Sequence, residues 1–107
     1  MATLRGSIAD AINELNKLLV KTSDPEEKRK IRKLRKIYVA LFEEVIKQEI
    51  KRGTQEFKEA IEALDNARKE AIEAKKDIAK IAEAIKKAVA AAKAVDRIVN
   101  VGIDLFA

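Results

Sequence analysis

From Ala60 to Gly102 the chain carries one apolar seam without a miss. Stepping alternately four and three residues, it reads Ala60, Leu64, Ala67, Ala71, Ala74, Ile78, Ile81, Ile85, Ala88, Ala92, Val95, Val99 and Gly102. A repeat averaging about 3.5 residues is that of a helix lying along other helices. Seven of these thirteen positions are Ala or Gly, so whatever packs there comes close. The rest of the composition agrees with an all-α chain. Charged residues make up 38%, with three Gly and one Pro among 107 residues. Ala, Glu, Lys, Ile and Leu dominate, the mixture of long helices and coiled coils.

Capping signals divide the chain further. A first helix is predicted over about 7–20, with Ser7 as its cap and Ile8, Ile12, Leu15 and Leu19 on one face. Asp24-Pro25-Glu26-Glu27 opens a second: Asp24 caps, Pro25 suits the first helical position, and two carboxylates meet the positive end of the helix dipole. The short connection between them predicts an antiparallel hairpin. Ile31, Leu34, Tyr38, Leu41 and Val45 stripe the second helix, and residues 37–42 are apolar all round, which calls for neighbours on more than one side. Gly53 reads as its stop and Thr54 as the next cap, giving a second helix over about 25–52 and a third over about 54–100, with 101–107 a frayed or helical tail. The expected fold is a single domain, 1–107: an elongated three-helix antiparallel bundle with one long Ala-rich C-terminal helix.

Length sets a problem for that arrangement. At 1.5 Å per residue the third helix would run roughly 69 Å and the second only roughly 42 Å. Beyond about residue 80 the apolar face would be uncovered. The first helix stacked end-on, a break near Asp65-Asn66, or a second copy of the chain would each cover it. The unbroken seam favours the copy. A homodimer is therefore expected, with Ile78, Ile81, Ile85, Ala88, Ala92, Val95 and Val99 as its self-association face.

The net charge of +5 is unevenly placed. Lys28, Arg29, Lys30, Arg32, Lys33, Arg35 and Lys36 put seven cations into nine residues, so the remainder of the chain is slightly acidic. Such a run reads either as a solvated helix face or as a patch for an anionic partner: an acidic protein, nucleic acid or a membrane surface. No aromatic, Asn or Gln side chain accompanies it to read bases, so any nucleic-acid binding would be sequence-tolerant. Folding the second helix onto the third would bring the run near Lys69, Lys75, Lys76 and Lys80, and would gather Glu43, Glu44, Glu49, Glu56, Glu59 and Glu62 at the opposite end. Ala79–Phe106, with lysines on its polar face, has the pattern of an interfacial helix as well as of a bundle helix, and peripheral membrane contact is the less favoured use.

Chemistry is scarce. The chain has no His, the commonest general base and metal ligand, and no Cys for thiolate chemistry or disulfides. Its glycines are isolated and form no phosphate-cradling loop. Glu43-Glu44 and Glu59 with Glu62 sit among Lys and Arg and read as surface ion pairs. No catalytic residue, metal ligand or cofactor site is expected, and the chain reads as a non-enzymatic interaction protein. No run approaches the roughly 20 apolar residues of a transmembrane helix, and the start lacks a signal-like stretch, so a cytoplasmic setting is expected.

Overall fold

A computed structural model of the chain describes residues 3–48 and 50–102. Helix α1 spans Leu4–Lys21. It begins a turn earlier than its sequence suggests, because the Thr3 hydroxyl accepts the Gly6 N–H at 2.9 Å and the Thr3 carbonyl takes the Ser7 N–H. A side chain at Gly6 would crowd that hydroxyl: a Cβ there would lie 2.9 Å from it. Helix α2 spans Pro25–Lys47, capped by Asp24, whose carboxylate accepts the Glu27 N–H at 2.9 Å. It stops short of Gly53. Gln48 turns extended, and its side chain donates to the Val99 carbonyl at 3.0 Å. Helix α3 spans Gln55–Lys76, and Thr54 caps it through the Phe57 N–H.

The long third helix of the sequence reading is two helices. Asp77 leaves the helical region (φ −139°, ψ 97°) and ends α3. Its carboxylate accepts the Ala79 N–H at 3.2 Å, and Ile78–Lys80 make one 3-10 turn. Helix α4, Ile81–Val99, then folds back along α3. The break lies at Asp77, not near Asp65-Asn66, where the helix is continuous. It was invisible in the seam for a physical reason. Both arms of a helical hairpin turn an apolar face inward, so a chain that reverses can carry the same unbroken heptad count that a straight helix requires.

The architecture is two helical hairpins, α1/α2 and α3/α4, laid side by side. Helix α1 packs on α2 and α3, and α4 packs on α3 and α2, with α3 against α4 the most extensive contact. Glu14 of α1 pairs with Lys75 near the end of α3. The Tyr38 hydroxyl of α2 donates to the Ala88 carbonyl of α4 at 2.6 Å. These links, with Gln48 on Val99, set α1 parallel to α3 and α2 parallel to α4. Both closing turns therefore share one end, and the 48–54 connection crosses the bundle at the other. That crossing is why α2 ends early: the chain needs these residues to reach the diagonal position. The described residues have a radius of gyration of 13.1 Å, and about 13 Å is typical of a globular domain this long. An elongated three-helix rod is thus replaced by a short four-helix bundle.

The two hairpins contribute unequal side chains to the core. Leu4, Ile8, Leu15, Leu18, Ile31, Leu34, Tyr38 and Leu41 come from the first. The second supplies mostly alanines, including Ala60, Ala67, Ala71, Ala74, Ala88, Ala91 and Ala92, with Leu64 and Val95 among them. Small residues let α3 and α4 approach closely, and the larger side chains of α1 and α2 fill the remaining space.

Candidate functional site

The most strongly charged exposed surface is the first half of α2. Ile31 and Leu34 turn into the core, so the cations between them face outward by helical geometry. Arg29, Lys30, Arg32 and Lys36 are exposed, and Lys28, Lys33 and Arg35 half-buried. Glu26 binds Arg29 through both carboxylate oxygens, and that hydrogen bond holds the Glu26 carboxyl below its ordinary value. Arg35 donates to the Asn16 side chain of α1 at 3.0 Å. Lys28, Arg32 and Lys36 make no ion pair or side-chain hydrogen bond among the described residues.

The neighbours of this run differ from those the hairpin at Gly53 implied. Helix α3 lies diagonally across from α2, so Lys69, Lys75 and Lys76 are not beside it. Lys75 instead donates to Glu14 at 2.5 Å, Lys69 pairs with Asp65 at 3.0 Å, and Lys80 with Glu73 at 3.7 Å. The Tyr38–Ala88 bond places residues 28–36 alongside the start of α4, where Lys86 is exposed and Lys87 lies 3.9 Å from Glu83. At the opposite end Glu44 lies 3.9 Å from Lys47 and Glu59 lies 3.6 Å from Arg97. Glu49 falls outside the described residues.

The seam is filled within one chain. Ile81, Ala88, Ala92, Val95 and Val99 are buried against the rest of the bundle, and Ile85 is half-buried. Ile78 alone of that face is exposed, at 46%. Within the apolar stretch 37–42, Ile37, Tyr38 and Leu41 are buried and Phe42 is half-buried. Val39 faces solvent at 42%, and one turn beyond Phe42 so does Ile46, at 54%. These apolar positions continue the outward face of the basic run, a continuation that the period of α2 contains but that composition alone hides.

Two polar features are structural. Burial pushes the Glu14 carboxyl up, but its hydrogen bond and charge contact with Lys75, aided by Lys17, outweigh this and leave it below its ordinary value. Burial pushes the Tyr38 phenol up, so it is a neutral donor to Ala88. Both pairs join residues more than 45 positions apart and have no local sequence signal. An open cleft of about 600 Å3 between α1 and α3 holds Ser7, Asp10, Phe57 and Asp65 among its lining. Its Asp65 carboxylate is held low by hydrogen bonds from Lys69 and Arg68, which makes it a poor proton acceptor. Among the described residues no group of three acidic, His or Cys side chains is placed to hold a metal, and no helix is long and apolar enough to cross a membrane.

No family model, no curated protein and no solved structure matches the chain. What the arrangement can do chemically is neutralise negative charge along one helix face.

Proposed function

We propose that this chain is a non-enzymatic helical interaction module that holds a polyanion, of the nucleic-acid backbone kind, on the outer face of α2. The observation that carries this reading is the exposed basic run 28–36, in which Lys28, Arg32 and Lys36 have no partner among the described residues. A cation already paired must give up its partner to bind phosphate, whereas these three exchange only water and counterions. The alternative use of α4 as an interfacial lipid helix loses support, because its apolar face is occupied in the core. With no aromatic, Asn or Gln side chain in the run, binding through its cations to phosphate is sequence-tolerant and steeply salt-dependent.

The test is fluorescence anisotropy with a labelled duplex over a series of salt concentrations. The triple variant Lys28→Glu, Arg32→Glu and Lys36→Glu should bind far more weakly than the parent. Its log–log salt slope should be shallower by about 2.7, the value for three lost phosphate contacts. Circular dichroism should show the same helicity. Equal affinity and equal slope in parent and variant would refute the reading.

A further inference from the structure

We infer that α3 and α4 can also join into one continuous helix, and that two such opened chains exchange α4 to form an antiparallel domain-swapped dimer hinged at Asp77. Three observations converge on this. The heptad phase runs through the break: Ala74, Ile78 and Ile81 keep the four-three stepping that holds on either side. Nothing in the hinge forbids a helix, since no Gly or Pro occurs between Thr54 and Val101. Within α3, the turn and α4 only one seam position, Ile78, is exposed in the closed form, and it sits in the 3-10 turn itself.

The geometry of the exchange is constrained. Asp77 lies midway between Gln55 at the start of α3 and Val99 at the end of α4. Straightened, the segment is a helix of roughly 67 Å. Two of them crossing at a twofold axis near Ile78 place each α4 on the α3 of the other copy. The closed hairpin is antiparallel, as the Glu59–Arg97 pair shows, with Leu64 level with Ala92 and Ala71 level with Ile85. The twofold reproduces that register between copies. Glu59 of one chain then meets Arg97 of the second, and the Tyr38 hydroxyl meets the second chain's Ala88 carbonyl. The contacts among α1, α2, α3 and α4 are kept and those of the 3-10 turn, with its Lys80–Glu73 pair, are given up, so the hinge and the protein concentration decide between the two forms. Opening loses the Asp77 cap on the Ala79 N–H. It gains helical hydrogen bonds through the hinge and brings Ile78 against its own counterpart, out of water.

The inference is independent of the anion-binding reading, and so is its test. The chain has no cysteine, so spin labels can be placed at Lys58→Cys and Ala90→Cys, both exposed. Doubly labelled chain is diluted into excess unlabelled chain, refolded at high concentration and separated by size with light scattering. In the closed form the two backbones are roughly 15 Å apart, from a 1.5 Å rise and a helix spacing of about 9 Å. In the swapped form the same two sites are roughly 48 Å apart along one helix. A dimer fraction showing the long distance is expected, and Asp77→Ala, which removes the cap, should raise its share at least about fivefold. A dimer with only the short distance would overturn the inference. So would a monomer throughout the concentration range in both the parent chain and Asp77→Ala. Should Asp77→Ala fail to fold, the parent chain's own distance distribution decides.

Discussion

Replacing Ala92 with Leu tests whether the seam is filled within the bundle or waits uncovered. Ala92 is fully buried on α4, level with Leu64 of α3. Leu adds three carbons where the two backbones approach closely, and overpacking of this kind costs about 1–3 kcal/mol. For 107 residues the unfolding entropy at the midpoint is about 0.22 kcal/mol/K, from about 2.1 cal/mol/K per residue. The expected loss is therefore about 4–13 °C in Tm. Ala90→Leu is the control: Ala90 is exposed on the same helix, and Ala and Leu differ little in helix propensity. It should stay within about 2 °C of the parent, the range of ordinary surface changes. Thermal melts followed by circular dichroism read both. A swapped dimer keeps the same packing around Ala92, so the expectation holds in either form. If Ala92→Leu melts at or above the parent temperature, the seam faces open space and the four-helix packing is wrong.

Tyr38→Phe removes the donor to the Ala88 carbonyl while keeping the ring, and should cost about 0.5–1.5 kcal/mol in denaturant melts without changing helicity; no measurable loss would mean the bond contributes nothing. Glu14 has its folded-state pKa lowered beneath 4.5, so the stability it contributes is complete above that value and is lost as the pH falls through the lower one. Glu14→Gln should therefore be less stable than the parent near neutrality, with the gap closing as the solution is acidified to about pH 3. A gap of constant size across that range would show that the pairing with Lys75 does not depend on charge.

Helical content was legible because caps and periodicity are local. Asp24-Pro25 marks a reversal with residue types that serve little else, and the inward stripe Ile31, Leu34, Tyr38, Leu41, Val45 is the one that the core uses. The break at Asp77 was not legible. Its only local signal is a capping aspartate in a chain with many exposed acids, and a heptad phase that suits a straight helix is carried here by a folded one as well. The end of α2 at Lys47 was hidden for a different reason. Residues 48–52 contain no residue type that stops a helix, and Gln48 turns extended because the connection to α3 must cross the bundle. For the candidate site, the positive run is written in composition. Which cations remain unpaired is a tertiary fact: Asn16 takes Arg35, and Glu14 takes Lys75.

The antiparallel pairing inside each hairpin has an electrostatic consequence for the end that carries the positive charge. Helices α1 and α3 finish there and α2 and α4 begin there, so two negative dipole ends lie beside two positive ones and their fields largely cancel. The backbone therefore makes little of the potential at that end. What remains comes from side-chain charges on long flexible stems. Such a field has no rigid template: it can re-aim to phosphates of different spacing, and acylating single lysines would lower it stepwise while leaving every helix in place.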